Sequence, residues 1–245
     1  MTKAKINVVA VVPARGGSKG VPKKNIKKLN KTPLIHYVLS TLNKIKLVDR
    51  IIVSTDSSEI KKVVLKGKFK KIEVHDRPSY LAVDKTPLTT VIKYVADQLQ
   101  NNEGYKPHIV LAIAPTCPFI KKETIIKTIQ YLKNKRANCC VTLKRIEHEH
   151  PYRAKKLNKK NKIFYPVIKN INVEKFISRQ DLPTFYCTSG AVYGRTYELL
   201  KTFKGKDFCL GKKPIGIVVD EIESINIDRQ IDFDFANFLS KNNKF

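Results

Sequence analysis

Short apolar runs alternate with longer amphipathic segments from residue 7 to residue 143, and few folds accommodate that rhythm. The runs at 7–12, 50–54, 71–75, 108–113 and 138–143 read as strands. Between them, 33–46, 57–66, 89–101 and 121–135 read as helices. This alternation predicts an α/β domain whose mostly parallel sheet is flanked by helices on both faces. Such sheets bind ligands beyond the carboxyl ends of their strands. Three polar segments fall at such ends: the loop after Val12, Ser54-Thr55-Asp56, and Ala114-Pro115-Thr116-Cys117-Pro118.

The rhythm breaks near residue 146. Residues 147–183 are polar, basic and poorly periodic, with a hairpin expected over 155–167 around the turn Asn158-Lys159-Lys160-Asn161. An excursion of this length usually has a purpose of its own. A strand at 189–193, a helix at 196–203, a strand at 215–219 and a last helix at 229–240 complete the expected order. The whole is read as one domain over 1–245.

A chain of 245 residues can bury one sizeable core. No apolar run reaches membrane-spanning length, and the first five residues lead into a strand rather than a secretory signal. The five cysteines lack CxxC spacing, and Cys139-Cys140 lie in an apolar run. A reducing cytoplasm is therefore the expected compartment. The net charge of +27 points first to nucleic acid. The excess is mostly lysine, however, with nine arginines, and it is spread from Lys3 to Lys244. No RNP-like aromatic motif accompanies it. Small phosphate-rich molecules benefit from the same field, and neither nucleic acid nor a membrane is expected as a partner.

The loop from Arg15 to Asn25 carries three glycines, a serine and four cationic side chains in eleven residues. Glycines let backbone N–H groups turn inward, and Lys and Arg neutralise the anion those groups bind. The loop lacks the GK[ST] of a Walker A motif and the GxGxxG of a dinucleotide fingerprint. Pro22 and Lys23-Lys24 are expected to keep the chain extended as far as Pro33, wrapping a phosphate ligand with side chains as well as backbone.

Arg15-Gly16-Gly17-Ser18-Lys19-Gly20, followed by Pro22, Lys24 and Asn25, resembles the signature of the acylneuraminate cytidylyltransferase family. The similarity continues in Arg50-Ile51-Ile52-Val53-Ser54-Thr55-Asp56, in Arg77-Pro78 with Leu81-Ala82 and Asp84, and in Pro115-Thr116 with Pro118. It resumes in Arg179-Gln180 and Gly190-Ala191 with Tyr193, and ends with Ile225, Ile227 and Asp228. These motifs run in collinear order over nearly the whole chain. Related enzymes acting on 3-deoxy-manno-octulosonic acid lack the GGSKG loop, which disfavours that branch.

The resemblance implies a Rossmann-like nucleotide-diphospho-sugar transferase fold. It implies a homodimer in which residues 147–187 form a small arm reaching into the neighbour's site. The implied reaction moves CMP from CTP to the anomeric hydroxyl of a nonulosonic acid and releases pyrophosphate, with Mg²⁺ as cofactor. Arg15, Gly16, Gly17, Ser18, Lys19 and Lys24 would hold the triphosphate, Asn25 the ribose and Arg77 the cytosine O2 and N3, with Thr86 completing the nucleotide set. Arg15, Lys19, Lys24 and Asp228 are the implied catalytic residues, because fixed cations and a metal offset charge on the transferring phosphoryl group.

Alternation along Ile225-Asn226-Ile227-Asp228 would bury the two isoleucines and turn 226 and 228 toward the site. Family members usually carry Asp at both polar positions as metal ligands. Asn226 removes one negative charge but keeps an oxygen donor, so Asp228 and Asn226 are the expected pair. A helix-capping role is the alternative for Asp228, and a surface ion pair is the alternative for Arg77. Asp232 is an outside candidate for supporting the metal ligands. For the acceptor, the resemblance implies Thr116, Arg153, Arg179, Gln180 and Tyr193. Ala114, Cys187 and Ser189 replace a Gln, an Arg and an Asn of the sialic acid pattern. A variant acid of the legionaminic or pseudaminic type is therefore expected rather than N-acetylneuraminate.

Glu147-His148-Glu149-His150 offers too few ligands on one face for a structural metal. Cys117 has no traceable His or Asn partner, and the chemistry needs no covalent step. A nucleotidyltransferase with another sugar acceptor, a catalytically weakened nucleotide-binding homologue and a basic RNA-binding protein are the remaining readings.

Overall fold

A computed structural model describes residues 5–160, 162–169, 171–172, 175–176, 178–205 and 207–242. The first half of the chain runs β1 (Val8–Pro13), a tight hairpin of β2 (Lys28–Leu29) and β3 (Thr32–Pro33), α1 (Leu34–Asn43), β4 (Arg50–Thr55), α2 (Ser58–Lys66), β5 (Ile72–Asp76), α3 (Leu88–Glu103), β6 (Ile109–Ile113), α4 (Lys122–Lys133) and β7 (Cys139–Arg145). A small hairpin follows, β8 (Lys155–Leu157) with β9 (Phe164–Pro166). The chain then forms β10 (Tyr186–Thr196), α5 (Tyr197–Lys201), β11 (Ile215–Val218) and α6 (Gln230–Lys241).

Seven strands form one sheet in the order β11-β7-β10-β6-β1-β4-β5. All neighbours pair in parallel except β10, which runs antiparallel to β6 and β7. The expectation of a mostly parallel sheet therefore holds. Strand β1 explains why it must be central. Val8, Ala10 and Val12 enter one hydrophobic layer while Val9 and Val11 enter the other. Each fully buried side chain of this kind contributes about 1.5–3 kcal/mol, so a strand apolar on both sides belongs where both faces are covered. Helices α1, α2 and α4 close the first layer, and α3 with α5 closes the second.

After β1 the chain lays β4 and β5 to one side and then returns to place β6 on the other. The order reverses between β1 and β6, and a crevice opens beyond their carboxyl ends.

The segment after Pro22 departs from the extended path expected of it. Lys23 adopts a left-handed φ of 52°, Lys24–Ile26 form one turn of 3-10 helix, and β2 and β3 fold back on each other. Asn30 and Lys31 sit at φ 45° and 68°, the backbone that a two-residue hairpin turn requires. Tertiary packing selects this turn. The amide of Asn30 donates to Asn237 on α6 at 2.9 Å, and Leu29 packs with Phe233, Ala236 and Leu239 of that helix and with Ile227.

The hairpin expected at 155–167 is present as β8–β9; Asn161 of its expected turn lies outside the described residues. The strand expected at 189–193 is longer, Tyr186–Thr196, and its pairing with β7 shifts register between Thr188 and Tyr193 around Gly190 at φ 80°. Among the described residues no helix is long and apolar enough to cross a membrane.

Candidate active site

The loop leaving β1 lies in the crevice at the strand-order reversal. Ser18, Lys19, Lys24 and Asn25 line one side of a cleft of about 340 Å³, which Ala114 and Thr116 border from the end of β6. Asp228, more than two hundred residues downstream, borders it as well. Lys24 carries the closure: its ammonium donates to the carbonyl of Ile227 at 2.6 Å and to Asp228 Oδ1 at 2.9 Å. A β-carbon added at Gly20 would lie 2.1 Å from the carbonyl oxygen of Asp228. Only glycine allows the two segments this approach.

The rest of the loop is held from behind. Gly16 donates its amide to Asp56 Oδ1 at 2.9 Å, Gly17 faces open space, and Asn25 is buried with its Nδ2 donating to the carbonyl of Arg15 at 3.1 Å. The Oδ1 of Asn25 is buried without a hydrogen-bond partner, which leaves an acceptor at the cleft wall. Arg15 pairs with Asp84 at 2.6 Å, and Lys19 pairs with the same carboxylate. Thr86 shapes the strap that delivers Asp84, its amide donating to Val83 and its hydroxyl to Tyr80.

Arg77 is not a surface ion pair. It is 8% exposed, and its guanidinium donates to the carbonyl of Ser54 at 2.6 Å and to the Ser54 hydroxyl at 3.3 Å. Burial pushes its pKa down from the usual arginine value, opposed by Asp56 and aided by Arg15. The guanidinium is thus a partly desolvated donor held at the end of β4.

Ile227 is fully buried and Ile225 packs beside it, so Asn226 and Asp228 turn the other way, as alternation predicts. Asp228 does not cap α6. Asp232 does so, accepting the amides of Arg229 at 2.7 Å and Asp228 at 3.1 Å. Burial opposes ionisation of Asp232, yet those two amides hold its carboxyl below the ordinary range. The carboxylate of Asp228 is left to Lys24 and to Asn226 Nδ2 at 3.3 Å. Asn226 Oδ1 is buried with no partner. An orphaned amide oxygen beside a carboxylate is a donor set that suits a hard divalent cation.

Two further cavities adjoin. One, of about 1200 Å³, shares Asp228 and is lined by Asn226, Cys187, Ser189, Lys144 and Arg145 among others. The other, of about 360 Å³, shares Leu88 with the first cleft and is walled by Tyr193, Phe208 and Arg195. Thr116 and Tyr193 therefore line different cavities. Arg153, Arg179 and Gln180 line none of these cavities. They sit exposed on single turns of the 147–187 excursion, at Pro151–Arg153 and Arg179–Asp181.

His150 anchors that excursion. Its ring stacks on Phe185 at 4.9 Å, Nε2 lies 2.9 Å from the carbonyl of Pro183, and Nδ1 accepts from the amide of Tyr152. Cys117 is fully buried, and burial pushes its thiol up to about 12, which removes it as a nucleophile at neutral pH. Sequence reasoning gave no role to Asp56 or Asp84. The signals were the position of Asp56 at the end of β4 and the place of Asp84 in the Leu81-Ala82 motif; the partners of Asp84 are distant in sequence.

A doubly wound sheet with a cationic loop at its switch point, faced by a carboxylate and carboxamide pair, defines a nucleotide-binding transferase. Residues 9–244 match the family described as cytidylyltransferase, so the chain belongs to that family. It is similar to the pseudaminic acid cytidylyltransferase of Campylobacter jejuni, 29% identical over 96% of this chain and 97% of that one. It is also similar to the CMP-N,N'-diacetyllegionaminic acid synthase of the same organism, 28% identical over 95% and 94%. Among solved structures, a CMP-2-keto-3-deoxy-manno-octonic acid synthetase complexed with CTP superposes with a TM-score of 0.69, covering 97% of this chain and 99% of that one. At 15% identity that likeness speaks for the fold alone.

Proposed function

We propose that the protein transfers CMP from CTP to the anomeric hydroxyl of a nonulosonic acid of the pseudaminic or legionaminic class. The observation that carries this reading is the meeting of Lys24 and Asp228, which joins the phosphate loop to a metal-competent pair between a triphosphate-sized cleft and a larger one. The triphosphate lies along Arg15, Ser18, Lys19 and Lys24. A ribose hydroxyl donates to the orphaned Oδ1 of Asn25. Arg77 donates to cytosine O2 and N3, both acceptors, whereas N3 of uracil is a donor, so the base is read by an unpaired-donor penalty.

The acceptor's anomeric hydroxyl gives its proton to water as its oxygen attacks the α-phosphorus, the bond to the β-phosphate breaks, and pyrophosphate departs along the cationic loop. Asp228 and Asn226 would hold Mg²⁺, which when bound offsets charge on the phosphate oxygens. The cations of this chain position the in-line arrangement and stabilise the departing pyrophosphate. On the acceptor side, the cavity lined by Cys187 and Ser189 has room for a nine-carbon chain.

The 147–187 arm completes the site in a second copy. Its hairpin turns Leu157, Phe164 and Val167 to solvent, each more than half exposed, and a two-stranded hairpin is marginal without a surface to cover it. Docked on a neighbour, the arm would carry Arg153 and Arg179 toward the acceptor's carboxylate. A reducing cytoplasm, where CTP is made, suits five cysteines that are all free.

The test is pyrophosphate release from CTP with a panel of nine-carbon acids, with Mg²⁺ and with EDTA. Release is expected with pseudaminic or legionaminic acid, less with N-acetylneuraminate, and none in EDTA. Release that depends on no acceptor, or that persists without divalent metal, overturns the reading.

A further inference from the structure

Asp84 holds two of the cations that line the cleft, and the reaction above leaves it without a task. Its carboxylate pairs with Arg15 at 2.6 Å and with Lys19, and both cations belong to the phosphate loop. It does not reach them on a loose chain. Residues 79–86 form a turn of 3-10 helix at Ser79–Leu81 and then a second turn closed by Thr86. The other anion-binding groups of the loop are engaged in the same manner, Gly16 by Asp56 and Lys24 by Asp228. Arg15, Gly16, Lys19 and Lys24 are thus each held by a carboxylate of the protein. Carboxylate and phosphate oxygens ask for the same guanidinium fork and the same ammonium, so they compete.

We propose that Asp84 is an internal stand-in for the pyrophosphate end of CTP: it positions Arg15 and Lys19 before CTP binds, yields them to the incoming triphosphate, and takes them back as pyrophosphate leaves. The proposal rests on the reading of this cleft as the CTP site. Its chemistry follows from charge. Lys19 is 81% exposed in its side chain, and a free lysine of that kind loses rotamer freedom on binding. Pairing with Asp84 restricts it beforehand. A single phosphate gains little by displacing a carboxylate, whereas the pyrophosphate end brings several charges and enough oxygens for both cations. Asp84 thereby favours triphosphate over monophosphate and shortens the stay of the released product. Lys19 and Arg15 hold its carboxyl below the ordinary range, so the competitor stays charged at neutral pH.

The experiment is calorimetric titration of wild type, Asp84→Asn and Asp84→Glu with inorganic pyrophosphate, with CTP and with cytidine. Loss of one competing surface ion pair should tighten pyrophosphate by about fivefold in Asp84→Asn. Asp84→Glu should bind as wild type does, and cytidine, which has no phosphate, should bind all three alike. Pyrophosphate should also become a stronger product inhibitor of Asp84→Asn by the same factor. A merely structural role predicts the opposite sign, because a loosened strap weakens every ligand. Unchanged or weaker pyrophosphate binding by Asp84→Asn, with wild type binding both pyrophosphate and CTP, overturns the stand-in and leaves the cleft assignment intact. A wild type that binds neither overturns both.

Discussion

At the scale of single residues, Gly20 shows what the site demands. A methyl group there would meet the carbonyl of Asp228 at 2.1 Å, and that carbonyl belongs to backbone rather than to a side chain able to swing away. Gly20→Ala must therefore push the phosphate loop away from Asp228 and stretch the pair with Lys24. A displacement near 1 Å at reacting groups costs about 100-fold in rate, so kcat/KM for CTP should fall by that order in a pyrophosphate-release assay. Wild-type turnover by Gly20→Ala would show that the approach of the two segments is incidental. Much of this was legible in the chain: the cations, the glycines and the alternation at 225–228 are local patterns. The arrangement behind them was not. That Asp232 rather than Asp228 caps the last helix, and that Arg77 is held by Ser54, depend on distances between segments that no spacing rule predicts.

At the scale of elements, the parallel strands were legible because burial on both faces leaves an unbroken apolar run. The hairpin β2–β3 was not, since lysine and asparagine at positive φ carry no apolar signal and the turn is chosen by α6 packing on it. A different junction ties the edge of the sheet. Arg50 on β4 pairs with Glu73 on β5 and with Glu103 at the end of α3. The hydrogen bond from Arg50 holds the Glu73 carboxyl below its ordinary value of 4.5, outweighing burial. A carboxyl whose pKa is lowered by folding adds stability that is present above that ordinary value and lost as pH falls through the lower folded one. A partly exposed pair of this kind contributes about 0.2–1 kcal/mol. Arg50→Gln should therefore lower the melting temperature by up to about 2–4 °C at neutral pH. The gap should close as the pH is brought below 4.5, followed by circular dichroism. A gap independent of pH would assign the loss to packing of the Arg50 stem on Tyr105, whose ring lies 5.0 Å from the guanidinium.

At the scale of the molecule, the sheet, its helices and the crevice form a framework whose order could be read from periodicity, whereas the 147–187 excursion is defined by what it lacks. Among its described residues it has little core of its own beyond the cluster of His150, Tyr152, Phe176 and Phe185. Leu157, Phe164 and Val167 of its hairpin are turned outward, and no pattern within one chain explains them. If a second copy covers them, Phe164→Glu should convert a dimer to a monomer in light scattering. It should also raise KM for the acceptor more than KM for CTP, because only the acceptor needs the neighbour's arm. A variant that stays dimeric with unchanged acceptor KM would remove the arm from the proposed site. The diffuse charge of +27 belongs to this scale as well. Spread along the chain rather than clustered in one segment, it draws polyanions generally rather than selecting one.

The contact between Lys24 and Asp228, 204 residues apart, also sets a timetable for the chain's birth. At about 5–20 residues per second, a growing polypeptide displays its phosphate loop for on the order of 10–40 s before the ribosome delivers the aspartate. Through that interval the ammonium of Lys24 has no Asp228 to hold it, while ribosomal RNA, a dense polyanion, lies close by. Maturation of the enzyme is therefore a late event, completed when the closing helix folds over the hairpin and brings the aspartate to the lysine.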